Sequence, residues 1–270
     1  NFDDEEISSA INKMGGEFVG RIKNEEGEVI KIKMPRWRFD ILHPIDLVEE
    51  IAIGHGYENI GKDIPKSPMT GIPSENSDYH RRIRESIQGQ GFQQVQSLTL
   101  SNKKEEFELM RWKHFGEVSE IANPITVDHT ILRQSILPSL MRLLAANKHH
   151  ELPQKVYELG TVVRSHKNTH RLCWLSAERG SGFAISRGIV QSLLKDLGLK
   201  ENQVVEWIST EDGPWLSGRG CKIQINGTTI GELGEIDPSV SSDFELRVPI
   251  HGGELDISSI IDCLPDPVYN

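Results

Sequence analysis

Pro35-Arg36-Trp37-Arg38-Phe39-Asp40-Ile41-Leu42-His43-Pro44-Ile45-Asp46-Leu47-Val48-Glu49-Glu50 is the stretch that orders the reading of the whole chain. Pro44 stands where a helix can start, because a proline at the first helical position lacks only an N–H that would have no partner there. The helix predicted from Pro44 to about His55 places Asp46, Glu49 and Glu50 at i, i+3 and i+4, on one face of its first two turns. Asp40 precedes them in an extended stretch that could fold back over the same place. Carboxylates at a helix N-terminus gain from its dipole, yet their repulsion favours a cation, and their hard oxygens suit Mg²⁺ or Ca²⁺. From spacing alone a solvated acidic face is the commoner outcome. General acid–base chemistry finds no nucleophile or pocket nearby.

Working outward, Ile7, Ile11 and Met14 mark an amphipathic helix over 4–14, capped by Asp3 or Asp4 and ended by Gly15-Gly16. A hairpin is expected over 17–22 and 29–34 with its turn at Glu25-Glu26-Gly27. In its second strand Ile30, Ile32 and Met34 alternate with lysines, which should bury one face. Pro65, Pro68 and Pro73 between Gly61 and Ser77 are linker chemistry, so a domain boundary is placed there, giving 1–72 and 73–270. Beyond it come a helix over 78–88 and a strand through Phe92, Val95 and 98–100. A helix from Pro138 carries Leu140, Leu143 and Leu144 along one side. Strands at 155–164 and 171–178, a helix at 184–198 and a last strand at 254–257 follow. Asn226-Gly227 is the strongest hairpin signal in the chain. Hairpin-joined strands with interspersed helices predict an α+β fold with an antiparallel sheet.

With 270 residues, one large domain or two smaller ones are open. No apolar run approaches the ~20 residues of a membrane-spanning helix, and the acidic N-terminus has no signal-peptide pattern. Cys173, Cys221 and Cys263 are isolated from one another, so reduced thiols in a cytoplasmic protein are expected. The formal net charge of −10 argues against a chain that grips DNA or RNA alone by neutralising phosphates. Nor is a membrane expected as a partner.

The run Asp40, Asp46-Leu47-x-Glu49-Glu50-Ile51-Ala52 and Gly54-x-Gly56-Tyr57-x-Asn59-Ile60 is similar to the end of a small module in the phenylalanyl-tRNA synthetase beta-subunit family. The resemblance implies Mg²⁺ on Asp40, Asp46, Glu49 and Glu50, and a winged-helix-like module over 1–72. Downstream, Arg81-Arg82-x-Arg84 with Gly91-Phe92-Gln93-x-Val95 resembles the opening of class II synthetase-like domains. Asn123-Pro124 through Leu132-Arg133 to Leu144 looks like the first motif shared by that class, which packs subunits together. Tyr157-Glu158-Leu159-Gly160, Gly231-Glu232-Leu233-Gly234-Glu235-Ile236-Asp237-Pro238 and Glu254-Leu255-Asp256 are also typical of the beta subunit. The resemblance covers nearly the whole chain.

Departures from the class define the expected role. Catalytic members hold ATP with an arginine two residues before a glutamate and another in a glycine-rich final motif. Val156-Tyr157-Glu158 and Gly252-Gly253-Glu254 have neither. Adenylate formation needs positive groups where charge develops, so this chain is expected to be catalytically silent. The resemblance implies a non-catalytic beta subunit of phenylalanine–tRNA ligase, with catalysis on an alpha chain, two alpha and two beta chains, and tRNA met through the assembly. The end soon after Asp256 favours the archaeal or eukaryotic type, with an editing domain upstream. The rival is a stand-alone paralogue that binds RNA or protein. Weaker candidates are Arg81, Arg82 and Arg84 as phosphate contacts, Ser217-Gly218-Arg219-Gly220 as a turn entering a strand, and Trp37 as a core anchor.

Overall fold

The computed structural model describes residues 2–24, 27–61, 71–74, 76–180 and 182–264. It divides into two compact units, Asn1–Ile72 and Pro73–Asn270. The first unit opens with α1 (Asp4–Lys13), where Asp3 and Glu6 form a capping box: Glu6 N donates to Asp3 Oδ1 at 2.8 Å and Asp3 N to Glu6 Oε2 at 3.0 Å. An antiparallel hairpin follows, β1 (Glu17–Asn24) and β2 (Gly27–Lys33). Its expected turn residues Glu25 and Glu26 lie outside the described residues, as do Pro65 and Pro68 of the linker. Then comes α2 (Pro44–His55). Ile7, Ala10 and Ile11 of α1 bury against Ile51 of α2, with Phe18 and Ile32 of the hairpin packed on them. The helices approach so closely that a Cβ on Gly54 would stand 2.1 Å from the Ala10 carbonyl oxygen. Only glycine permits that crossing, and Lys13 Nζ secures it by donating to Gly54 O at 3.0 Å. Ile30, expected on the buried face, is instead exposed, because the helices cover only the base of the hairpin.

The second unit begins with α3 (Ser77–Gly89), β3 (Gln93–Gln94), β4 (Leu100–Ser101), a π-helical turn at Lys104–Leu109 and β5 (Ile131–Leu132). It continues with α4 (Leu137–Ala146), β6 (Gln154–Arg164), β7 (Lys167–Ala177), α5 (Phe183–Asp196) and β8 (Val205–Ser209). It ends in β9 (Trp215–Ile225), β10 (Thr228–Ile236), α6 (Pro238–Asp243), β11 (Ile250–Asp256) and α7 (Ile257–Cys263). A seven-stranded sheet runs β3-β6-β7-β11-β10-β9-β8. It is mixed, not purely antiparallel: β3 pairs with β6 in parallel. A parallel return needs a long connection, and the excursion from β3 to β6 that carries α4 supplies it. The single strand expected through 92–100 is two fragments, because the chain leaves the sheet after Val95 N donates to Tyr157 O and β4 pairs with β5 in a separate ribbon.

The sheet's two faces differ. Tyr157, Leu172, Trp174, Leu233 and Leu255 form one face, packed on α3, α5 and α7 through residues such as Ile83, Ile87, Leu193 and Ile260. On the other face Val156, Cys173, Leu175 and Ile250 pack on Leu137, Leu140, Met141 and Leu144 of α4. Across the middle of that second face, β-register lines up Glu158, Cys173, Glu254 and Glu232 on neighbouring strands.

Candidate functional site

The acidic corner of the first unit is held from within. Arg38 lies in a turn segment before α2 with 14% of its side chain exposed. Its Nη2 donates to Asp40 Oδ2 at 2.6 Å and to Glu50 Oε1 at 2.6 Å. Nη1 reaches Glu50 Oε2 at 2.9 Å and Nε reaches Asp40 Oδ1 at 2.9 Å. The guanidinium is thereby kept protonated even more firmly than usual, and its hydrogen bonds hold the Asp40 carboxyl below the ordinary carboxylate range. Asp46 has a different task. Its Oδ2 accepts from His43 N at 2.7 Å and Leu42 N at 2.8 Å, capping α2, and those backbone donors lower its pKa. Glu49 is exposed.

The structure thus brings Asp40 and Glu50 together around one cation, the Arg38 side chain; Asp46 is near enough to feel the charge of Asp40 but spends its hydrogen bonds on backbone amides, and Glu49 is exposed. No group of three or more His, Cys, Asp or Glu side chains placed to hold a metal ion occurs among the described residues. The guanidinium itself supplies the positive charge against which Asp40 and Glu50 are held. Arg38 was legible only as a neighbour of Trp37, although an Arg-x-Asp spacing is a signal for such a pair. Trp37 itself is 65% exposed and anchors no core.

In the second unit, the charged residues of the sheet's second face form a buried network that spacing did not reveal. Arg133, 1% exposed, donates from Nη2 to Glu158 Oε1 at 2.6 Å, from Nη1 to Ser97 Oγ at 2.7 Å and from Nε to Thr161 O at 3.0 Å. Arg171 lies 2.5 Å from Glu254 Oε1 through Nε and donates from Nη1 to Asp256 Oδ2 at 2.9 Å. Glu254 Oε2 accepts from Ser135 Oγ at 2.6 Å and from Ile136 N at 2.8 Å, at the start of α4 where a negative charge suits the helix dipole. Burial alone would raise the Glu254 pKa, yet Arg171 and Arg164 outweigh it and the carboxyl is held low. Glu106 lacks such a cation. Burial pushes it up to about 7, although the amides of Gln134 and Ser135 donate to its Oε2 at 3.0 and 3.1 Å. Glu232 is also pushed up to about 7, by burial and then by the charge of Glu254.

This face leaves a cavity of about 160 Å³ beside Trp112, Phe115, Arg164, Arg171, Glu232 and Glu254. That is below the ~300–1,000 Å³ of pockets that take a drug-sized ligand. Arg164 stacks on the Phe115 ring, its centre 4.1 Å from the ring centroid, and donates to Gln134 O at 2.8 Å. Burial, and then repulsion by Arg171, lower its pKa to about 10. Where an ATP-binding arginine was sought, Val156 packs under α4 beside Leu175, itself opposite Gly252. Clefts of about 610 and 630 Å³ share Leu246, Arg247 and Val248 in their walls, and one of about 700 Å³ lies beside Asn102, Glu105 and Arg142.

Two of the arginines of α3 have partners within the chain. Arg81 bridges Asp78 and Glu85 along α3, and Arg82 Nη2 donates to Asp196 O at the end of α5. Ser217–Gly220 is an interior part of β9, not a turn.

Two family models match the chain. The one described as the tRNA synthetase B5 domain covers residues 1–57, and the one described as the phenylalanyl tRNA synthetase beta chain CLM domain covers residues 60–257. A phenylalanine–tRNA ligase beta subunit from Archaeoglobus fulgidus is 37% identical over 96% of this chain and 46% of its own length. The corresponding subunit from Pyrococcus horikoshii is 34% identical over 93% of this chain and 45% of its own length. The chain thus spans about half the length of the curated relatives it matches. Among solved structures, a pyrrolysyl tRNA synthetase from Desulfitobacterium hafniense superposes with a TM-score of 0.56 at 14% identity, covering 68% of this chain and 66% of that one. That likeness speaks for the fold alone.

Proposed function

The chain belongs to the phenylalanyl-tRNA synthetase beta-chain family, and from that premise we propose that it is the non-catalytic partner in the ATP-dependent attachment of phenylalanine to tRNA. Catalysis would sit on an alpha subunit, in a cytoplasmic assembly of two alpha and two beta chains that meets ATP and tRNA as a whole. The observation that carries the non-catalytic reading is the charge state of the second sheet face. Arg133 and Arg171 are each paired with carboxylates, buried Glu158 in one case and buried Glu254 with half-buried Asp256 in the other. A triphosphate needs cations free to meet it, and the cavity beside them, about 160 Å³, is small. The face therefore acts as a packed core that braces the fold, and function resides in what the two units present to partners.

On the same reading the first unit is winged-helix-like, and Mg²⁺ is a structural ion at its acidic corner, with Asp40, Asp46, Glu49 and Glu50 as candidate ligands. The ion would supply positive charge that cancels carboxylate repulsion. The chain's own part is to hold Asp46 by the amides of Leu42 and His43 and to keep Glu50 buried on α2.

Pyrophosphate exchange dependent on phenylalanine, measured on the purified chain, should stay at background and rise only when alpha subunit is added. Exchange that tracks this chain alone would refute the non-catalytic reading.

A further inference from the structure

We propose that the small cavity on the second sheet face binds a small zwitterion of the α-amino-acid type, with Arg164 meeting its carboxylate and Glu232 its ammonium. The proposal goes beyond the non-catalytic reading, because binding requires no reaction. Both side chains line the cavity, and the charge of Glu232 acts on Arg164, yet among the described residues no ion pair joins the two. Each lacks the partner that burial of a charge calls for. The carboxylate that Arg164 approaches is Glu254, with Oε1 3.7 Å from Nη2, and Arg171 already holds that oxygen at 2.5 Å. Arg164 Nε is spent on Gln134 O and its plane stacks on Phe115. Glu232 stands between Lys222 and Glu254 in strand register. Lys222 turns its Nζ to Asp212 Oδ2 at 3.2 Å, and Glu254 is a like charge. The Trp215 indole N–H favours the charged form of Glu232 without forming a hydrogen bond. Burial accordingly acts on both groups, lifting Glu232 to about 7 and lowering Arg164 to about 10. Perturbed groups that converge on one cavity are a mark of binding sites.

A cation short of anions and a carboxyl short of cations, lining one cavity, match a molecule that carries both charges. A simple anion would meet Arg164 but face repulsion from Glu232. A simple cation would meet Glu232 but face Arg164 and Arg171. A zwitterion satisfies both walls, and charge strengthens each hydrogen bond it forms there. Size narrows the class. The cavity measures about 160 Å³, and one of ~150 Å³ accepts a benzene. Alanine or glycine therefore fits, whereas phenylalanine is too large. Exposed Thr229 and half-buried Lys222 form part of the wall, which leaves the cavity open to small solutes.

The test titrates alanine, glycine, acetate, methylamine and phenylalanine into the unaltered chain by calorimetry, with melting followed at saturating ligand. Alanine and glycine should bind saturably and raise the melting temperature. Acetate and methylamine, each carrying one of the two charges, should bind at least about tenfold more weakly. Phenylalanine should not displace alanine. Glu232→Gln and Arg164→Gln, checked for folding by circular dichroism, should each weaken alanine binding by about tenfold or more. The ligand comparisons need no variant, so they decide the matter even where a substituted chain fails to fold. The proposal is overturned if neither amino acid binds, or if acetate or methylamine binds as tightly as alanine. It is equally overturned if phenylalanine displaces alanine, or if either folded variant binds alanine as the unaltered chain does. Pyrophosphate exchange is a separate readout, so failure here leaves the non-catalytic reading standing.

Discussion

Glu106 shows how one side chain can make stability depend on pH. Burial raises its pKa to about 7, even though its carboxyl accepts the amides of Gln134 and Ser135. An unfolded glutamate titrates near ~4.3. Between those values the native chain keeps a proton that the unfolded chain has lost, so stability falls as pH rises through the window and levels off above it. Glu232, also raised to about 7, acts in the same direction. Glu106→Gln keeps the shape and an oxygen for both amides while removing the charge. In urea melts at pH 5 and pH 8 the unaltered chain should lose more stability with rising pH than this variant does, by on the order of 1–3 kcal/mol. Equal losses would mean that Glu106 does not titrate in this window.

At the scale of elements, α4 corrects the expectation taken from its leucines. Its apolar side resembled a subunit contact, yet Leu140 is fully buried and Leu144 is 1% exposed, both against Val156, Leu175 and Ile250 of the unit's own sheet. A ten-residue helix with six buried positions is a core element. Leu140→Ala should therefore destabilise the isolated chain by about 2–5 kcal/mol through lost contacts and a residual cavity. Chemical denaturation of the chain without any partner checks this. A change below about 0.5 kcal/mol would return α4 to the role of an interface helix. Element boundaries explain the rest of the comparison. α2 and the Asn226-Gly227 hairpin were legible because a proline at N1 and a tight-turn dipeptide act locally. The strand through 92–100 was not, since whether an apolar stretch joins a sheet depends on a neighbour distant in sequence, here Tyr157 of β6.

At the scale of the molecule, net charge sets what the chain can do alone. With a formal charge of −10 it repels a polyanion at long range. In anisotropy titrations at ~150 mM salt the isolated chain should bind tRNA no tighter than ~10⁻⁶ M, the strong end of nonspecific nucleic-acid binding. Adding alpha subunit should bring both proteins onto the tRNA in one complex. Tight, salt-resistant binding by this chain alone would instead favour a stand-alone RNA-binding role.

Most of the longer elements and the family were legible in the sequence, because they rest on local patterns: caps, turn dipeptides, prolines and long motifs. The sequence also carried the absence of arginine two residues before Glu158 and Glu254. Which charges meet was settled by folding. Arg38 joins Glu50 across a turn, Arg133 reaches Glu158 and Arg171 reaches Glu254 from different strands, and Leu140 turns inward. Pairing of charges distant in sequence is fixed by strand register and by desolvation. Neither leaves a periodic trace, so two carboxylates that the family resemblance assigns to a metal, Asp40 and Glu50, can be bound in the folded chain by an arginine two residues before the first of them.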